Sequence, residues 1–264
     1  MLRPRISPCL LVHKGGLVKT QGFSNPKYVG DPINAVRIFN EKEVDEIVVI
    51  DIDATVAERE PDYSLVKRLA AESRMPICYG GGVRHVEQFE RLVGLGVEKV
   101  AVGAACFSAP DVLTRAAEVV GRQSVVAVAD VRRDVRTGTM GVFTHNGKAA
   151  TGVVVSEFAR RMEQLGAGEI LVNSIDRDGM MTGYDLELVQ TVRDSVGCPV
   201  TALGGAGSLS DIEALVARFG AIGASAGSLF VFKGVYRAVL INYPKRVERD
   251  RLVESGLRRA GLLV

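Results

Sequence analysis

Residues 46–53, Glu-Ile-Val-Val-Ile-Asp-Ile-Asp, and residues 169–176, Glu-Ile-Leu-Val-Asn-Ser-Ile-Asp, follow one pattern. A glutamate opens each stretch, apolar residues follow, and an aspartate closes it. Such short apolar runs, bounded by turn-forming residues, read as strands buried on both faces. The offset that relates Glu46 to Glu169 also relates Asp53 to Asp176, Pro76 to Pro199 and Phe107 to Phe230. Gly80-Gly81 meets Gly204-Gly205 at an offset one residue longer, so the chain repeats itself in halves.

On either side of these stretches, Val/Ile/Ala-rich runs alternate with longer segments of helical pattern. Strands are predicted over 6–11, 46–51, 76–79, 99–103, 124–130, 169–174, 199–204 and 221–228. Helices are predicted over 33–40, 63–73, 86–95, 110–119, 153–165, 186–194 and 210–219, with Asp31-Pro32 and Ser210-Asp211 as cap-like starts. Eight strands alternating with helices in 264 residues point to an α/β fold, a (β/α)8 TIM barrel built from two repeated (β/α)4 halves. A doubly wound open sheet is the alternative. The repeat favours the barrel, because each half then covers the exposed strand edges of the other. No linker or low-complexity segment interrupts residues 1–264, which are expected to form a single domain.

Composition excludes several classes of function. With 33 basic and 31 acidic residues interspersed, a net charge of +2 gives no electrostatic footprint for nucleic acid or an anionic membrane. Cys9, Cys78, Cys106 and Cys198 are widely spaced in apolar runs without a CxxC pair, and are expected to be buried reduced thiols rather than disulfides or metal ligands. No run approaches the ~20 apolar residues of a membrane span, and the N-terminal segment lacks a cleavage signature. A cytoplasmic protein without metal or cofactor is expected.

In barrels of this kind functional groups gather where strands end and βα loops begin. There the Gly80-Gly81-Gly82 and Gly204-Gly205-Ala206-Gly207 turns follow strands three and seven, and Gly103-Ala104-Ala105 and Ala226-Gly227-Ser228 follow strands four and eight. Turns without side chains let backbone N–H groups approach an anion, so Gly81, Gly82, Gly204, Gly205, Gly227 and Ser228 suggest two phosphate cradles. Glycines also simply make tight turns; the symmetric pairing is what favours the cradle. Asp130, Asp176 and Lys19 are the polar candidates at this mouth, with Lys19 in the first loop and Asp130 ending an apolar strand. Each also reads as a solvated or salt-bridged loop residue. At the opposite end Arg5, Glu46, Lys99 and Glu169 stand just before strands one, two, four and six. Their charges cancel, as in a salt-bridge ring across the barrel floor, although ordinary solvated strand-end charges share that spacing.

Taken together, these residues resemble the HisF family, the synthase-subunit barrel of imidazole glycerol phosphate synthase. The resemblance covers nearly the whole chain and rests on Arg5-Ile6, Cys9-Leu10, Leu17-Val18-Lys19, Gly30-Asp31-Pro32, Asp51-Ile52, the two glycine turns and Ser174-Ile-Asp-Arg-Asp-Gly. It implies a HisH-like glutaminase docked on the N-terminal face. Ammonia then passes a gate matching Arg5, Glu46, Lys99 and Glu169 and crosses the barrel interior. Its destination is a phosphorylated small-molecule substrate held by Lys19, Asp51, Asp176 and the glycine turns. The family's ring closure uses two aspartates ending strands one and five; here the second is Asp130 and the first position is Leu11. Ala101, Gly103 and Ala104 stand where the cyclases carry Ser/Asn/Thr-type phosphate ligands. Loss of one member of an acid/base pair costs on the order of 10² to 10⁴ in rate, so catalysis by this chain itself is in question.

The chain is still more similar to the HisF-like branch associated with glycosyl amidation in surface-polysaccharide (LPS O-antigen) clusters, the WbuZ type. The residues are Pro8-Cys-Leu-Leu, Asn25-Pro-Lys-Tyr-Val-Gly-Asp-Pro, Ile52-Asp-Ala-Thr, Arg59-Glu-Pro and the 226–244 segment. That likeness implies ammonia supply for converting an acetamido group of a nucleotide-linked sugar into an acetamidino group. The chain has no GxxxxGK[ST] loop, so activation falls to a separate ATP-dependent sugar amidotransferase. The alternatives are a histidine-pathway cyclase and a non-catalytic scaffold for the glutaminase.

Overall fold

The computed structural model describes residues 3–263. Eight parallel strands form the staves: β1 (Arg5–His13), β2 (Ile47–Asp51), β3 (Ile77–Gly80), β4 (Lys99–Val102), β5 (Val125–Arg133), β6 (Glu169–Ser174), β7 (Val200–Leu203) and β8 (Gly223–Ala226). Each pairs in parallel with the next, β6 pairs with β5, and β8 pairs with β1, so the sheet closes into a (β/α)8 barrel with no free edge among its staves. The open-sheet alternative is thereby overturned. Around it lie α1 (Pro32–Glu41), α2 (Tyr63–Glu72), α3 (Val86–Gly94), α4 (Asp111–Val120), α5 (Val155–Gln164), α6 (Leu186–Arg193), α7 (Leu209–Phe219) and α8 (Arg246–Arg259).

Local chemistry sets the helix starts. Asp31 caps α1 by accepting from the Asn34 amide at 2.9 Å, with Pro32 in the first turn, an arrangement worth ~1 kcal/mol. At α7 the cap is Ser208, not Ser210: Ser208 and Asp211 form a capping box, and the helix begins at Leu209.

Apolar residues sort into two bodies. The larger lies between staves and helices and includes Phe39, Phe89, Phe158 and Phe230. The smaller lies inside the barrel: Cys9, Val48, Cys78, Ala101, Val126 and Leu171, with Leu11, Ile50, Val128 and Leu203 packed against it. Strand alternation explains the division, since every second residue of a stave faces the axis. Cys9, Cys78 and Cys106 are buried and free, as expected; Cys198 is free but only half-buried, two residues before β7.

Three features depart from the sequence reading. After β1 the chain makes an antiparallel hairpin, 16–21 against 24–30, and after β5 a second one, 140–144 against 149–154. Their turns, Gly22-Phe23 and His145-Asn146, both adopt positive φ and occupy equivalent places in the two halves. Strand β5 therefore does not end at Asp130 but runs on to Arg133 to pair with its hairpin. The C-terminal helix α8 is a third element that the sequence pattern does not announce.

Candidate functional site at the barrel mouth and floor

The floor is built from first residues of staves. Lys99 Nζ lies 2.8 Å from Glu46 and 2.9 Å from Glu169; Arg5 lies 2.9 Å from Glu169 and 3.6 Å from Glu46. The four side chains thus form a closed ring of alternating charge, and Thr201 donates to the free oxygen of Glu169 at 2.5 Å. Burial alone would raise the Glu169 pKa, but Lys99 and Arg5 outweigh it and hold the carboxyl below its ordinary range. Burial would likewise lower Lys99; Glu169 and Glu46 outweigh it and hold the ammonium above its ordinary value. Both shifts favour the charged forms of Glu169 and Lys99 within the ring.

Above the ring sits the apolar inner layer, and above that a cavity of about 160 Å3 whose walls reach down to Cys9, Ala101 and Leu171. Its rim carries Gly81, Gly103, Ala104, Gly204, Gly205, Gly227 and Ser228, so both expected glycine turns open onto one space. Phe23 from the first hairpin and Thr144, His145 and Asn146 from the second roof it over. Asn146 Nδ2 donates to the Ile52 carbonyl at 2.9 Å, which ties the second hairpin to the β2 side of the rim.

Asp130 faces this cavity from β5. The residue is half-buried at the cavity wall, and desolvation pushes its pKa up to about 7, against the opposing hydrogen bond from Asn173 Nδ2 at 3.0 Å. Leu11 faces the same cavity from β1. Asp51 also lines it, one oxygen accepting from the Asp53 and Ala54 amides at 2.9 and 3.1 Å. Burial raises the Asp51 pKa.

Lys19 is not in a loop. It stands on the first hairpin strand, buried at 5% exposure, with its ammonium donating to the Cys9 carbonyl. Burial lowers its pKa. Asp176 is displaced from the expected position as well. It is exposed, lies outside the cavity, and accepts from the Arg133 amide at 2.9 Å. Its repeat partner Asp53 does the same for Lys14 at 2.7 Å and holds His13 Nδ1 at 2.7 Å, so both aspartates brace the hairpin that follows their neighbouring stave. The residue of that loop which does line the cavity is Asp178, which accepts from Thr20 Oγ1 at 2.6 Å and the Phe23 amide at 3.1 Å. Burial raises its pKa. Sequence reasoning misses Asp178 and Asn173 because the repeat points to Asp176. Asn173 is an inward-facing polar residue in an otherwise apolar stave, and that signal is present in the sequence.

Gly82 also falls outside the lining: its amide is already 3.2 Å from Thr55 Oγ1 and is not free for an anion. Among the described residues no cluster of His, Cys, Asp and Glu fits a metal ion. No helix there is long and apolar enough to cross a membrane.

A parallel barrel with a charged floor, an apolar waist and a glycine-rimmed mouth defines an α/β-barrel protein whose cavity opens at the C-terminal ends of its staves. Comparison with known proteins narrows the class: residues 5–237 match the histidine biosynthesis protein family, and this chain belongs to it as a HisF-like member. A relative from Leptospira interrogans is 51% identical over 96% of this chain and 99% of its own length; its name, provisionally given, is imidazole glycerol phosphate synthase subunit HisF. One from Vibrio vulnificus, also provisional in name and numbered as a third HisF, is 51% identical over 96% of this chain and 98% of its own. A Streptomyces coelicolor protein named imidazole glycerol phosphate synthase subunit HisF without qualification is 42% identical over 88% of this chain and 91% of its own.

Proposed function

We propose that this chain is the ammonia-receiving barrel of a glutamine amidotransferase whose cyclising end has been rebuilt. The observation that carries the reading is the contrast between its two ends. The floor keeps a complete ring of Arg5, Glu46, Lys99 and Glu169, whereas the mouth presents Leu11 opposite Asp130 and Ala104 at the strand-four turn. A HisH-like glutaminase would dock below the ring. Neutral ammonia tolerates the apolar layer of Cys9, Ala101 and Leu171, where an ammonium ion would lose its hydration without a partner. Swinging one ring side chain aside opens the path while the remaining charges keep partners. At the top Lys19, Asp51 and the glycine turns at Gly81, Gly204, Gly205, Gly227 and Ser228 would receive a phosphorylated molecule.

The finer reading is that the ammonia serves conversion of an acetamido to an acetamidino group on a nucleotide-linked sugar in surface-polysaccharide synthesis. A separate ATP-dependent amidotransferase would activate the amide. Leu11 cannot transfer a proton, and the more similar relatives carry provisional or numbered HisF names, while the unqualified name appears at 42% identity. Both points support a branch apart from the histidine cyclases.

The second reading, ring closure in histidine biosynthesis, is favoured by Asp130, whose pKa is raised, and by Asp178, which lines the same cavity near it. Turnover of the bisphosphorylated ribulosyl substrate that the resemblance to the HisF cyclases implies, with an ammonium salt, separates the two. Wild type is expected to be inactive, and Leu11→Asp to be inactive too, because Ala104 and Gly103 still offer no side-chain phosphate ligand. Cyclisation by wild type would reverse the order of the two readings. Activity in Leu11→Asp alone would show that the strand-four turn does not matter.

A further inference from the structure

The ring on the barrel floor is not equally tight all round. Three of its contacts measure 2.8–2.9 Å, and the fourth, Arg5 to Glu46, measures 3.6 Å. That loose joint bridges β1 and β2, which first pair at Cys9 and Val48. Below that pair, the β2-facing side of β1 has no strand partner, and backbone groups of Ile6 need other ones. Two side chains supply them. Asp45 accepts from the Ile6 amide at 2.9 Å, and Tyr243 Oη donates to the Ile6 carbonyl at 2.8 Å. Ile6 follows Arg5 in the chain, and Asp45 precedes Glu46.

Both clamps lead to the C-terminal segment. Arg249 of α8 is buried at 7% exposure. Its Nη1 donates to the Glu43 carbonyl at 2.7 Å, sits 3.2 Å from the second oxygen of Asp45, and its guanidinium lies by the Tyr243 ring. Arginine at this place serves no need of α8 itself, whose other inward positions are Leu252, Val253, Gly256 and Leu257. A buried arginine is costly unless its donors are used; here Nη1 is spent on Glu43 and Asp45, in the turn that leads into Glu46, while Nε has no hydrogen-bond partner.

We propose that Arg249, acting through Asp45 and with Tyr243, is a positioning residue for the floor ring: it fixes the Arg5–Glu46 joint, the contact at which the ring is most easily opened. The proposal rests on the reading of the ring as a gate only for its functional consequence. Arg249 sets the resting separation of that joint from outside the barrel, and without it Asp45 turns away and the β1 and β2 ends part. Lys99 and Glu169, on β4 and β6, stay paired.

The test is nitrogen-15 NMR of the Arg5 Nε–H and the Lys99 ammonium in the full-length protein, with hydrogen exchange read at each. Arg249→Met and Tyr243→Phe are expected to speed exchange at Arg5 at least tenfold and leave Lys99 unchanged. Arg249→Lys, which keeps a charge beside Asp45, is expected to restore part of the protection. Arg259→Met, which removes only an exposed contact of the same helix with Glu213, is the control and should change neither signal. Should Arg249→Met fail to fold, Tyr243→Phe decides, since it removes one hydroxyl. Unchanged Arg5 exchange in a folded Arg249→Met or Tyr243→Phe protein would overturn the proposal. So would equal loss at Arg5 and Lys99, which would mean general loosening. If Arg5 exchange rises while glutamine nitrogen is still delivered without leakage, the positioning role stands and the gate reading falls.

Discussion

Asp130 shows most directly how burial turns into measurable chemistry. In an unfolded chain an aspartate titrates at ~3.9, and in the folded barrel burial lifts Asp130 to about 7. Between those values the folded protein holds a proton that the unfolded chain has released. This contribution to stability is complete below about pH 4 and is lost as pH rises through 7. Asp130→Asn removes the loss, so urea unfolding at pH 8 should find the variant more stable by ~1–3 kcal/mol, with the difference gone by pH 4. A pH-independent difference would place the effect in packing and not in the proton. Asp130 itself is legible in the sequence as the one carboxylate in an apolar run. Asp178 is not, because its loop offers two aspartates, and only the fold shows which of them the barrel turns inward.

Among elements, the glycine turns divide sharply by geometry. A Cβ at Gly205 would lie 2.1 Å from the Gly183 carbonyl oxygen at φ +106°, and one at Gly81 would lie 2.3 Å from the Asp51 carbonyl oxygen at φ +115°. A Cβ at Gly103 would come no closer than 3.8 Å to any neighbour. Gly205→Ala and Gly81→Ala should each cost ~2–4 kcal/mol in chemical denaturation, and Gly103→Ala less than ~1 kcal/mol. Comparable losses at all three would contradict the close-approach account. The staves and the first seven helices are readable because apolar runs, cap residues and an internal repeat all agree. The hairpins are not, since their returning strands, 24–30 and 149–154, are largely exposed and look like loops; only the positive-φ residues Gly22 and Asn146-Gly147 signal them. Helix α8 is hidden for a different reason. Its buried face has helical spacing, but arginine and glycine occupy two of its five positions and erase the apolar stripe.

At the scale of the molecule, the proposed function divides along the barrel axis: a charged floor, an apolar waist, and a mouth where Leu11 and Asp130 line one cavity. The floor is the part that partner loss would hurt most. Removing Glu169 strands Lys99 and Arg5 against a single carboxylate, and breaking a buried pair in this way costs ~3–5 kcal/mol. Glu169→Ala should therefore lower the thermal midpoint by several degrees, whereas loss of the exposed Arg115–Asp111 pair should leave it unmoved. The repeat of residues 46–53 at 169–176 is enough to point to a barrel, and strand-opening charges hint at the ring; nothing in the sequence tells that the ring's joints differ in length. The central claim is that glutamine-derived ammonia travels through this floor to the mouth. Its most direct test follows amide nitrogen-15 from glutamine in the complex of this chain with its co-expressed glutaminase and the acceptor enzyme. The account predicts that label reaches the product with little free ammonium in wild type, and escapes as ammonium when Lys99 is changed to Ala. Equal delivery by wild type and Lys99→Ala, or no labelled product from either, would contradict it.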